Sequence, residues 1–134
     1  MITTDVQPLY RFFGLTPRDF AEVIIDVAET IAKETYPEVK VIRKFKEKYS
    51  GDKLIFAVLV AGKIFGMLNT FITPPEFSWY GYNKFISLVK ELEKTKIEEL
   101  EDKKKKLIEK IVKDIELDEL SMKIIKTDKM KDVM

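Results

Sequence analysis

Hydrophobic residues recur at intervals of three and four through most of the chain, which is the spacing of amphipathic α-helices. The clearest stripe follows Thr16 and consists of Phe20, Val23, Ile24, Val27, Ala28 and Ile31. Thr16 is suited to cap this helix and Pro17 to occupy its first position. Pro37 is expected to end it, because the residue before a proline is pushed out of the helical region. A shorter helix is expected over residues 4–13, with Gly14 as its stop.

Residues 38–49 fit two periods and therefore two structures. Helical spacing places apolar residues on one face, whereas alternation, with Ser50-Gly51-Asp52 as a turn, gives a β-hairpin over about 38–60. We favour the helix because residues 54–72 form nineteen apolar-rich positions, too many for an ordinary strand. That stretch is long enough to cross a membrane, but Lys63 at its centre would be costly there. We expect a buried central helix with Lys63 at a seam.

The last part of the chain predicts one long helix. Residues 83–115 keep the three-to-four spacing without Gly or Pro and would span about 50 Å, so the outer half must fold back or meet a partner. Acid–base pairs four residues apart would support its surface. These pairs are Glu99–Lys103, Glu101–Lys105 and Asp102–Lys106. Residues 117–126 suggest a short return helix.

The predicted fold is therefore all-α, a compact helical bundle with one long C-terminal helix. Residues 1–126 would form a single helical domain and 127–134 a flexible C-terminal tail. The alternative is an α+β fold with the β-hairpin at about 38–60.

Composition argues against most enzyme classes. The 134 residues contain no Cys and no His, which removes thiolate nucleophiles, the commonest general base and the commonest metal ligands. The five glycines form no phosphate-binding loop, and no nucleophile-elbow motif is present. We expect a protein that is not an enzyme and has no cofactor and no metal site.

Lys and Glu dominate the charged positions, while Gln occurs once and Asn twice, a composition typical of hyperthermophile proteins. The first residues lack a basic stretch followed by an apolar core, so no signal peptide is predicted. We expect a cytoplasmic protein from a thermophilic archaeon or bacterium.

Positive charge is concentrated in one segment although the whole chain is almost neutral, at +1. Residues 40–53 hold six basic and two acidic side chains. The candidate nucleic-acid-binding residues, which we call the α3 basic patch, are Lys40, Arg43, Lys44, Lys46 and Lys48. Cations neutralise phosphates, and the interleaved Phe45 and Tyr49 could stack on a base. The alternative is a solvated basic face that pairs with the acidic helix over 17–35.

Two further clusters have both a functional and a structural interpretation. The carboxylate row, at helical spacing, consists of Asp19, Glu22, Asp26 and Glu29. It could hold a divalent metal, but we favour a wet helix face opposite the apolar stripe. Aromatic residues also cluster around Pro74-Pro75, and the candidate partner-binding residues are Phe77, Trp79, Tyr80 and Tyr82. They could anchor a partner protein or plug the end of the bundle.

Three segments, VIRKFKEKY, LIFAVLVAGKIFGML and PPEFSWYGY, cover about residues 39–82 and resemble the small subunits of archaeal type I-A CRISPR interference complexes. The resemblance implies helical-bundle copies inside an RNA-guided complex, contacting neighbouring subunits and steadying a DNA strand. The α3 basic patch would then make that contact.

The expected function is a non-catalytic helical subunit of a nucleoprotein complex, active in antiviral defence if the resemblance holds. Its partners would be other protein subunits and single-stranded DNA or a guide RNA–DNA duplex, with no membrane and with homo-oligomerisation open. The alternative is a helical-bundle interaction protein of an archaeal virus or plasmid that self-associates through residues 83–115. A third option is an α+β module that binds only protein.

Overall fold

The computed structural model of the chain describes the backbone of residues 9–70 and 82–133, and the side chains of 10–66, 68 and 83–117. Within these residues the fold is all-α, as the sequence predicts. The helices are α1 (Leu9–Phe12), α2 (Pro17–Lys33), α3 (Pro37–Lys48), α4 (Gly51–Thr70), α5 (Tyr82–Lys94) and α6 (Leu100–Val133), with a 3₁₀ turn at Ile97–Glu99 before α6. The β-hairpin alternative is wrong, because α3 and α4 occupy its residues.

Helix α1 ends at the glycine, and α2 begins after the threonine cap, that the sequence predicts. Gly14 has φ +70° and closes α1 in a Schellman motif, in which the Leu15 amide donates to the Tyr10 carbonyl at 2.9 Å. Thr16 then caps α2, and the Asp19 carboxylate accepts the Thr16 backbone N–H at 2.9 Å, completing a capping box. These two motifs fix the angle at which the chain enters the bundle.

Helix α2 is the centre of the bundle, since it contacts each of the other five helices. Its predicted apolar stripe is buried except for Ile31, which is partly buried, and Ala21, Ile25 and Thr30 are buried as well. The core around it is built from side chains of all six helices, including Tyr10, Phe45, Phe56, Ile64, Phe85, Leu92, Leu107 and Ile111.

Helix α4, expected to be central, lies at the periphery of the bundle. One side, with Phe56, Val60 and Ile64, is buried. The α4 outer face consists of Ile55, Val58 and Leu59, exposed by 52%, 37% and 42%. The expectation failed because an apolar run shows only that both sides of a helix are apolar, not that both are covered. Across the described residues, no helix is long and apolar enough to span a membrane.

The predicted long helix over 83–115 is divided into α5 and α6. The chain leaves the helix at Thr95, whose hydroxyl donates to the Glu91 carbonyl, and Lys96 is extended. Lys33 of α2 donates to the carbonyls of Glu93 and Thr95 at 3.3 and 2.8 Å, placing a cation at the C-terminal end of α5. Both helices can therefore pack on α2.

The end of the chain also differs from the prediction. Helix α6 continues to Val133, so 117–126 is not a separate return helix. That the tail over 127–134 is flexible stays a prediction. None of the three expected acid–base pairs four residues apart forms in the described part of α6. Instead, Lys103 lies 3.6 Å from Glu91 of α5, and Lys104 lies 2.7 Å from Glu29 of α2.

Candidate nucleic-acid interface

The carboxylate row of α2 is the centre of an ion-pair network rather than a wet face. Asp26 is only 1% exposed. Its Oδ2 accepts hydrogen bonds from Tyr49 Oη at 2.5 Å and from Lys48 Nζ at 2.9 Å. Lys44 and Lys104 approach its Oδ1 at 3.7 and 3.9 Å. A buried charge needs such partners, because an unpaired one would be strongly destabilising.

Glu29 joins α3 and α6 to the same position on α2. Its Oε2 lies 2.9 Å from Lys44 Nζ and 2.7 Å from Lys104 Nζ. Burial acts to raise the pKa of Glu29, but the hydrogen bonds from Lys104 and Lys44 outweigh it and lower the pKa below its ordinary value. Burial likewise acts to lower the pKa of Lys104, and the Glu29 carboxylate raises it instead. Both groups are thus held in their charged forms.

The N-terminal end of the row is paired in the same way. Lys53 Nζ lies 2.9 Å from Asp19 and 3.0 Å from Glu22, and 4.7 Å above the centre of the Tyr49 ring. Burial, followed by the nearby Asp26 charge, raises the pKa of Tyr49 well above its ordinary value. The Tyr49 hydroxyl therefore stays protonated and donates to Asp26.

A metal site on the carboxylate row finds no support in the described residues, where no group of acidic side chains is arranged to hold a metal ion. All four carboxylates have lysine partners. The wet helix face that we favoured from the sequence is only partly right. The row is polar, but neighbouring helices cover its middle, where Asp26 is buried.

The α3 basic patch is divided between structural and solvent-facing residues. Lys44 and Lys48 bind the carboxylate row, and Lys40 binds Glu34 at 2.9 Å. Arg43 and Lys46 are exposed and have no ion-pair or hydrogen-bond partner within the described parts of the chain. Phe45 and Tyr49 are buried and pack on each other with ring centres 5.5 Å apart, so neither ring is available to stack on a base.

The predicted partner-binding residues cannot be placed. Phe77, Trp79 and Tyr80 lie outside the described residues, and for Tyr82 the structure describes only the helical backbone at the start of α5. Their role stays a prediction.

A second group of basic residues lies on α6 and was not singled out from the sequence. The α6 lysine stripe consists of Lys106, Lys110 and Lys113. These residues are exposed, and their spacing of four and three places them along one face of the helix. A helical projection of 100–117 would have found them, since the core positions Leu107, Ile111 and Ile115 face away from them.

No family model, no curated protein and no solved structure matches this chain. The described residues define the protein as an all-α bundle organised around one central helix. Because no comparison bears on it, the resemblance to CRISPR small subunits stays a hypothesis.

Proposed function

We propose that the protein is a non-catalytic helical subunit of a nucleoprotein assembly and contacts the sugar–phosphate backbone of a nucleic-acid strand. The observation that carries this proposal is that Arg43 and Lys46 are exposed and, among the described residues, unpaired. They are the members of the α3 basic patch that remain exposed and outside the ion pairs of the bundle. Such cations can bind phosphates without disturbing the fold.

The α3 basic patch can contact phosphates but offers no exposed aromatic ring to the bases. With Phe45 and Tyr49 buried, base stacking at this patch is not part of the proposal. Binding through the phosphate backbone alone is independent of sequence and strongly dependent on salt. We therefore expect similar affinities for strands of different sequence.

The test is fluorescence anisotropy of a labelled mixed-sequence single strand, DNA and RNA in parallel, titrated with purified protein. The wild type is expected to bind more weakly as salt rises from about 50 to about 200 mM. Arg43→Glu/Lys46→Glu should weaken binding. Lys90→Glu/Lys94→Glu, which changes net charge equally on exposed positions of α5, should not. A wild type that shows no salt-dependent binding to either strand contradicts the proposal.

A second candidate function, a self-associating helical interaction protein, is favoured by the α4 outer face. Ile55, Val58 and Leu59 place three large apolar side chains next to one another at the surface, and contiguous exposed apolar patches often mark protein contacts. Residues 83–115, where self-association was first expected, instead pack on α2 through the apolar side chains of α5 and α6. Light scattering separates the candidates, since Val58→Glu should lower a concentration-dependent mass only if this face joins copies.

A further inference from the structure

The α6 lysine stripe has a charge that the bundle does not use. Lys106, Lys110 and Lys113 have no ion-pair or hydrogen-bond partner among the residues that the structure describes. The contrast with Lys104 is sharp, because Lys104 lies on the core side of the same helix and is bound by Glu29. The stripe is therefore free to bind an external anion.

One acid that could neutralise the stripe, Glu109, is paired with another helix. Glu109 lies three residues after Lys106 and four before Lys113, at spacings where side chains on a helix meet. Its carboxylate instead lies 2.6 Å from Arg18 of α2. Two other acids, Asp102 and Asp114, lie four residues from Lys106 and Lys110 and form no ion pair with them among the described residues. The stripe lysines therefore stay unpaired among these residues although acids lie beside them.

The dimensions of the stripe suit a nucleic-acid backbone. Lys106 and Lys113 are seven residues apart, which is about 10 Å along a helix. One strand of a duplex presents a charge about every 3.4 Å along the helix axis, so about three phosphates fall within that length. The stripe lysines line an open depression of about 530 Å³. Its other lining residues are Lys105, Glu109, Asp114 and Leu117, so basic side chains outnumber acidic ones four to two.

Two other polyanions fit the stripe less well. An amphipathic helix binds an anionic membrane by inserting an apolar face, but Leu107, Ile111 and Ile115 of α6 are buried in the core. Arginine grips carboxylates and phosphates alike in two-point contacts, so its absence does not separate an acidic protein from a nucleic acid. The regular spacing of the lysines favours the strand, whose phosphates repeat evenly, and lysine point charges suit contacts independent of sequence.

We propose that the α6 lysine stripe is a phosphate-backbone binding site for a nucleic-acid strand, separate from Arg43 and Lys46 on α3. This inference rests on the proposed function, because it identifies a second surface for the same class of ligand. Lys44 and Lys104 both bind Glu29 Oε2, so α3 and α6 flank the same point on α2.

The test compares the salt dependence of single-strand binding for two triple variants of equal charge. Lys106→Gln/Lys110→Gln/Lys113→Gln should reduce the slope of log K against log salt by about 2, since each lost phosphate contact removes about 0.7. The control, Lys90→Gln/Lys94→Gln/Lys96→Gln, neutralises three exposed lysines on and after α5 and should keep the wild-type slope. Circular dichroism checks that both variants remain helical.

The outcomes separate this inference from the proposed function. If the wild type binds and the stripe variant keeps the wild-type slope, the stripe is not a binding site, whereas the proposed function stands. If the wild type does not bind, both fail. An unlabelled poly-glutamate peptide is the competitor for the acidic-protein alternative. If that peptide displaces the labelled strand as efficiently as unlabelled strand does, the assignment to nucleic acid is overturned.

Discussion

Replacing Tyr49 by Phe removes one hydroxyl and tests the buried network directly. The hydroxyl donates to Asp26 Oδ2 at 2.5 Å, while the ring, packed on Phe45, is unchanged by the substitution. A hydrogen bond to a charged group contributes about 1.5–3 kcal/mol. Lys48 remains within 2.9 Å of the same carboxylate oxygen, and Lys44 and Lys104 remain near the other, so the charge of Asp26 stays paired. We expect the free energy of unfolding to fall by about 2 kcal/mol.

Urea denaturation followed by circular dichroism at neutral pH is the assay, because guanidinium would screen the ion pairs under test. Tyr36→Phe is the matched control. That ring is 81% exposed, and the loss of a hydroxyl at such a site should change stability by less than about 0.5 kcal/mol.

A double-mutant cycle tests whether the lost stability comes from the hydrogen bond between Tyr49 and Asp26. In an Asp26→Asn background, Tyr49→Phe should cost distinctly less than in the wild type, because the charge that strengthens the hydrogen bond is gone. Equal costs in both backgrounds, or a cost in the wild type no larger than that of Tyr36→Phe, would refute the description of Asp26 as the centre of the network.

Three further predictions concern pH and helix termini. The pKa of Glu29 is lower in the folded protein than its ordinary value of 4.5. Its carboxylate therefore stabilises the fold at pH values above 4.5, and this contribution is lost as pH falls through the folded-state pKa. The free energy of unfolding should accordingly fall less steeply with acid in Glu29→Gln than in the wild type. Thr16→Ala removes the capping box of α2 and should lower the urea-derived unfolding free energy by about 1 kcal/mol; no change would contradict the cap. Gly14→Ala places a side chain at φ +70° and should cost about 1 kcal/mol in the same assay, whereas a gain in stability would contradict the Schellman geometry.

Local sequence signals predicted the elements of the bundle well. Thr16, Pro17 and Gly14 act through backbone atoms within a few residues, so their roles follow from spacing alone. The apolar stripe of α2 is buried because a periodic face needs a neighbouring surface, whichever element supplies it.

The sequence signal for the break between α5 and α6 was weaker than the signals at Gly14 and Thr16. No Gly or Pro marks it, but Thr95-Lys96-Ile97-Glu98 matches the pattern that often precedes a helix. The cation from Lys33 comes from a helix some sixty residues earlier, and no local pattern indicates such a contact.

The candidate site was harder to predict because an ion pair depends on packing. The carboxylate row and the α3 basic patch were each visible in the sequence, and their pairing was one of two alternatives. Only the positions of α2 and α3 show that Lys44 and Lys48 bind the row whereas Arg43 does not. The α6 lysine stripe was missed because Lys106 was interpreted as part of a salt-bridged surface, paired with Asp102, and Lys110 and Lys113 were not considered with it.

Lysine acetylation followed by mass spectrometry, with and without a bound single strand, measures each ammonium group separately. The account predicts that Lys106, Lys110 and Lys113 react readily in the free protein and become protected by the strand. Lys44 and Lys104, held by Glu29, should react slowly in both states. Equal reactivity of the three stripe lysines with and without bound strand would contradict the account.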